Sequence, residues 1–179
     1  MSPSAKSSTP PGATYALLSR EAFPGVVWEP ACGDGAMADV LKATGHEGIA
    51  TDLVDRGYGM PGVDFTLDNQ THADHVVTNP PFKLARAFVE HGLRQARRKV
   101  AIFARLQFAE GGRRDLFEMA PLARVYIFNN RVPMMRGRLP GPREGARMMA
   151  FAWFVFEHGQ TGEPVTRWLT YQHADRPQT

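Results

Sequence analysis

The chain has 179 residues, 43% hydrophobic and 22% charged, enough for one globular domain with a sizeable core and too few for two well-built ones. No apolar run approaches the roughly 18–20 residues of a membrane helix, no signal-peptide core opens the chain, and a single cysteine, Cys32, excludes an internal disulfide and a thiolate zinc cluster. The formal charge of +3 is unevenly spread, with 4 Lys and Arg against 10 Asp and Glu in residues 1–82 and 15 against 5 in residues 83–147.

Residues 1–12 are small, polar and Pro-rich and read as a flexible segment, as does the tail from Tyr171; the domain is expected over residues 13–170, in the cytoplasm. Apolar spacing over residues 14–23 predicts a short helix that Pro24 and Gly25 end. Residues 26–28 are a compact apolar strand meeting a glycine turn, Glu29-Pro30-Ala31-Cys32-Gly33-Asp34-Gly35. A helix follows over residues 36–44, closed by Gly45, and a second strand over residues 48–51 delivers Asp52 at its end.

A weak third strand is expected at residues 63–65, and a fourth at residues 75–78 runs into Asn79-Pro80-Pro81-Phe82. Residues 83–95 form a helix with Leu84, Phe88 and Val89 on its apolar face; a strand at 99–106, a helix at 113–119, and strands at 124–128 and 149–156 complete the chain. This alternation argues an α/β architecture, a doubly wound, mostly parallel sheet of seven strands. No helical pattern separates the last two strands, which therefore form an antiparallel hairpin.

In open α/β sheets the ligand lies beyond the carboxyl ends of the strands, where a glycine turn lets the backbone come close. The turn at residues 29–35 is placed there, though it lacks the third glycine of the dinucleotide fingerprint. Asp52, ending the next strand, can accept hydrogen bonds from both ribose hydroxyls of an adenosine; a carboxylate opening an ordinary turn explains it equally.

Asn79-Pro80-Pro81-Phe82 is the sharpest signal. Two prolines stop a strand, because neither donates to the ladder; they do not explain Asn before and Phe after. An amino nitrogen on an aromatic base is a poor nucleophile, since its lone pair is delocalised into the ring. Two acceptors, the side-chain oxygen of Asn79 and the carbonyl of Pro80, can each take one of its N–H bonds and draw the nitrogen toward tetrahedral geometry. Phe82 offers a face for a flipped base.

Together the two motifs resemble those of class I S-adenosylmethionine-dependent amino-methyltransferases, in particular small phage-type adenine-specific DNA methyltransferases. The likeness covers most of the chain, from about residue 9 to residue 169, and only the two motifs are sharp. It implies a Rossmann-like methyltransferase fold, S-adenosylmethionine as cofactor and transfer of its methyl group to the exocyclic amino group of adenine in DNA. It implies that Glu29, Ala31, Cys32, Gly33, Asp34 and Gly35 wrap the cofactor, with Cys32 contributing backbone only. By the same likeness Asp52 holds the ribose, Asp64 and Phe65 border the adenine, and Asn79, Pro80 and Phe82 are catalytic. The chain departs from larger members: the motifs lie close together and fewer than 100 residues follow Phe82, leaving no room for a separate recognition domain.

The basic second half reads as a phosphate-facing surface, or as an arginine bias on solvated faces. Arg113 and Arg114 sit in a Gly-rich loop opening a helix. Arg131, Arg136, Arg138, Arg143 and Arg147 lie between the last two strands, where a loop this long is uncommon unless functional. DNA contact is the expectation for these arginines, and no membrane partner is expected. His72 and His75 have no third ligand beside them, so no metal is expected. Methylation of RNA or of a protein glutamine amide, and nucleic-acid binding without catalysis, stay open as alternatives, and the oligomeric state is not legible.

Overall fold

The computed structural model describes residues 7–69, 72–110, 114–136, 139–142 and 149–173. In chain order the elements are β1 (Ser7–Ser8), α1 (Pro11–Leu18), β2 (Val26–Glu29), α2 (Ala36–Ala43), β3 (Glu47–Asp52), β4 (Met60–Pro61) and β5 (Ala73–Thr78). A 3₁₀ turn (Phe82–Leu84) leads into α3 (Ala85–Gln95), followed by β6 (Ala96–Arg105), a second 3₁₀ turn (Leu106–Ala109), α4 (Arg114–Met119) and β7 (Leu122–Phe128). The chain continues through β8 (Met135–Arg136), β9 (Leu139–Pro142), β10 (Phe151–Glu157) and β11 (Val165–Leu169). None of the helices among the described residues is long and apolar enough to cross a membrane.

One sheet carries the fold, in the order β11-β7-β10-β6-β5-β2-β3-β4. All its neighbours are parallel except β10, which slots antiparallel between β6 and β7. The expected α/β class and the antiparallel pairing of the last apolar strand are therefore found. The central strands alternate side chains between two buried faces, as strand geometry requires. Val77, Phe103 and Trp153 pack on the face that α1 and α2 cover, and Val76, Ile102 and Phe154 on the face that α3 covers.

The structure corrects the sequence reading in four places. The sheet has eight strands, because β11 adds a parallel edge beside β7; four of its five residues are exposed, so no burial pattern announces it. Residues 63–65 form no strand: the Asp64 carboxylate accepts the Thr66 N–H (3.0 Å) and hydroxyl (2.7 Å) and folds this stretch into a turn, while Met60–Pro61 pairs with β3. The first helix starts at Pro11, where a missing N–H costs nothing, and ends at Leu18; Phe23 is buried against His75 without being helical. Residues 7–12 and Tyr171 belong to the folded unit. A Cβ on Gly12 would stand 1.9 Å from the Gln172 carbonyl oxygen, and Asn130 holds the Tyr171 backbone through both its amide and its oxygen.

At the end of the sheet opposite the strands' carboxyl ends, buried Glu21 accepts from Tyr126 (2.8 Å), Lys99 (2.8 Å) and Arg124. Burial pushes its carboxyl up, but these three donors outweigh burial and hold it below the usual carboxylate range. Its contribution to stability is thus present above the ordinary Glu value of 4.5 and is lost as pH falls through the lowered one. Glu21→Gln is expected to lower unfolding stability by about 2–3 kcal/mol at neutral pH, and by less as the solution is acidified. Chemical denaturation at a series of pH values checks this; a loss independent of pH would contradict it.

Candidate active site

Strands β2, β3 and β4 step outward in one direction, and the chain then returns to place β5 on the other side of β2 and β6 beyond it. The reversal falls at the carboxyl ends of β2 and β5, the place where open α/β sheets bind ligands. Trp28 is in register with Val76, so the turn after Glu29 and the turn after Thr78 leave the sheet side by side. Two motifs far apart in sequence become two walls of one site.

The first wall is pinned from β3. Trp28 donates to Thr51 Oγ1 (3.0 Å), the Cys32 N–H to the Thr51 carbonyl (3.0 Å), and the Gly33 N–H to Asp52 Oδ2 (2.9 Å). Asp52 is 6% exposed and its other oxygen accepts the Val54 N–H (3.0 Å). Glu29, Ala31 and Cys32 are buried beneath the turn, and the Cys32 thiol lies 3.6 Å from the Tyr58 carbonyl, leaving only backbone to face a ligand.

The two glycines of the turn differ in what lies above them. Both have positive φ, +60° at Gly33 and +86° at Gly35. A Cβ on Gly33 would meet nothing within 4 Å, whereas one on Gly35 would stand 2.2 Å from the Tyr58 ring. Tyr58 donates to Asp39 (2.9 Å), and burial together with this bond pushes its hydroxyl up to about 12, so the ring is held neutral over Gly35. Tyr58 was not legible in the sequence as part of the site. The space above Gly33 holds no side chain comparable to Tyr58 within 4 Å. Leu53 and Val54, exposed just past Asp52, add apolar surface beside it.

Phe65 is not on this surface. Its ring is 2% exposed and packs on Trp28, Phe88 and His91 at centroid distances of 4.9, 4.7 and 5.0 Å, so it is core. The Asp64 carboxylate is engaged in its own turn.

The second wall is the tetrapeptide. Asn79 is half-buried and its amide donates to Thr9 Oγ1 (2.9 Å). The Pro81 carbonyl accepts the Leu84 N–H, whereas among the described residues neither Asn79 Oδ1 nor the Pro80 carbonyl has a hydrogen-bond donor. Phe82 is 43% exposed, with the Arg105 guanidinium 5.3 Å from its ring centroid, a cation–π contact. Arg105, ending β6 beside this turn, is a site residue that sequence reasoning missed.

So is the segment before α1. Ser8 donates to Asp34 Oδ1 (2.9 Å) on the first wall, and Thr9 holds Asn79 on the second. The same segment, as β1, pairs antiparallel with β8, Ser7 opposite Arg136 and Ser8 opposite Met135, and β9 completes a small sheet. Arg136 is placed by that backbone pairing, Arg114 by its place in α4, and Arg131 is exposed after β7. Arg113, Arg138, Arg143 and Arg147 lie outside the described residues.

No family model matches the sequence, and no curated protein matches it either. Solved structures do match. A candidate class I S-adenosylmethionine-dependent methyltransferase from Listeria monocytogenes superposes with a TM-score of 0.61 at 12% identity, over 90% of this chain and 65% of that one. The fold is Rossmann-like, of the methyltransferase kind. The modification subunit of a candidate type I restriction enzyme from Vibrio vulnificus YJ016 gives 0.60 at 12% identity, over 97% of this chain and 49% of that one. Magnesium protoporphyrin IX methyltransferase from Synechocystis PCC 6803, with S-adenosylmethionine bound, gives 0.53 at 14% identity, over 82% and 79%. This chain therefore spans less than two thirds of the length of the first two.

Proposed function

We propose that the chain transfers a methyl group from S-adenosylmethionine to the exocyclic amino group of adenine in DNA. The observation that carries this reading is the pair of acceptors, Asn79 Oδ1 and the Pro80 carbonyl, standing beside the open space over Gly33 at the switch point.

The residues present fit the cofactor. The open space above Gly33, the Asp52 carboxylate at the end of β3 and the exposed Leu53 and Val54 that follow it offer backbone, ribose-hydroxyl and apolar contacts close together. Gly33, Asp34 and Gly35 would take its amino-acid part and Asp52 its ribose, with Glu29 supporting the turn from below. S-adenosylmethionine, when bound, supplies an electrophilic methyl group.

The remaining work falls to the chain's own groups. Asn79 Oδ1 and the Pro80 carbonyl each accept a hydrogen bond from one amino N–H, which leaves the nitrogen's lone pair free to attack the methyl; the nitrogen sheds one proton to solvent after transfer. Phe82 stacks the flipped base, and Arg105 fixes that ring and brings positive charge to the rim. The basic second half supports a nucleic-acid substrate.

Two duplexes with labelled cofactor test the proposal, one built only of A·T pairs and one only of G·C pairs. Label is expected in the first, as N6-methyladenine; label confined to the second, or absent from both, sinks it. Binding to the A·T duplex is expected to weaken steeply with salt, and replacing Arg136 and Arg138 together by alanine to flatten the log–log slope by up to about 0.9 per lost phosphate contact. A slope near zero in the unmodified protein contradicts DNA as substrate.

A further inference from the structure

A carboxamide has two nearly isosteric ends, an oxygen that accepts and an NH₂ that donates. Only one orientation of Asn79 helps an amino group, since the other would set donors against donors.

We infer that Thr9 is a positioning residue for Asn79, its hydroxyl oxygen accepting from Asn79 Nδ2 at 2.9 Å and holding the side chain in the rotamer that leaves Oδ1 without a donor among the described residues. The inference rests on the methyl-transfer reading for its consequence, and on geometry for its substance. Thr9 is 4% exposed, and its partner lies 70 residues away, so this is a buried tertiary contact. The neighbouring Ser8 is tied to Asp34 on the first wall and the backbone of β1 to β8, so the segment is anchored immediately before Thr9. Pro10 and Pro11 follow at once, and with fixed φ they stiffen the link to α1. The segment is a strap across both walls of the site.

The test uses the full chain with Thr9→Val, which keeps the shape and removes the hydroxyl, and Thr9→Ser, which keeps the hydroxyl. The first readout is the Asn79 side-chain amide pair in ¹⁵N–¹H correlation spectra, assigned by its loss in Asn79→Ala. Thr9→Val is expected to shift that pair and to speed its exchange with solvent about tenfold, and Thr9→Ser to restore it. An amide pair unmoved in Thr9→Val overturns the inference, whether or not the chain methylates DNA.

The second readout is single-turnover methyl transfer. Thr9→Val is expected to slow it about tenfold with cofactor affinity unchanged, Thr9→Ser to stay close to the unmodified rate, and Thr9→Val to add nothing once Asn79 is alanine. Loss of rate in Thr9→Ser equal to that in Thr9→Val, or a full further loss in the Asn79→Ala background, overturns the inference. Absence of methyl transfer in the unmodified chain would instead count against the proposed function, with the amide spectra still deciding the tether.

Discussion

Asn79→Ala is expected to lower methyl transfer to an adenine-containing oligonucleotide by about 100- to 1000-fold, the typical loss when one preorganised acceptor or donor is removed from a reacting centre. S-adenosylmethionine affinity should stay nearly intact, because the contacts expected to hold the cofactor come from the turn after β2 and from Asp52. Binding and chemistry would then separate in one variant. Phe82→Ala should cost less than Asn79→Ala, since it removes a stacking surface and leaves both acceptors in place. Its partner Arg105 would lose the ring beneath it and keep its charge. Single-turnover rates and titration calorimetry on the same preparations decide the matter. An Asn79→Ala protein that methylates at the unmodified rate would reduce the tetrapeptide to a strand stop.

Asp52→Ala should weaken S-adenosylmethionine binding by roughly 10- to 100-fold, in line with about 1–3 kcal/mol for hydrogen bonds to a charged acceptor. The structure adds a second consequence. The same carboxylate holds the Gly33 and Val54 N–H groups at 2.9 and 3.0 Å, so its removal also frees the glycine turn and exposes two buried donors. Thermal stability should therefore fall together with affinity, by about 2–4 °C for each kcal/mol in a domain of this size. Asp52→Asn, which keeps one accepting oxygen, should be intermediate in both. Full cofactor affinity in Asp52→Ala would remove Asp52 from the ligand site, and a fall in melting temperature alone would leave it as a loop anchor.

Much of the fold is legible because it is written in local chemistry. Residues 26–28, 99–106 and 149–156 are apolar runs that only a buried strand accommodates, and each lies in or overlaps a strand of the sheet. Gly33 and Gly35 mark a turn because their φ values of +60° and +86° are open mainly to glycine, and Pro80 and Pro81 end β5 because proline has no N–H. Those residue types bring their conformational constraints with them wherever the chain goes.

What the sequence alone determined, then, is the order of the central strands and helices and the two motifs at strand ends, since propensity, periodicity and backbone restriction act between near neighbours. Only tertiary structure decided that β11 is a strand, that Phe65 is core, and that Ser8, Thr9, Tyr58 and Arg105 touch the two motifs. The physical reason is the same in each case. β11 forms because β7 offers it an unpaired edge, not because it is buried. Phe65 is core because Trp28, Phe88 and His91 converge on it from distant segments. Thr9 reaches Asn79 and Ser8 reaches Asp34 across 70 and 26 residues, through single hydrogen bonds that leave no periodic trace in the chain.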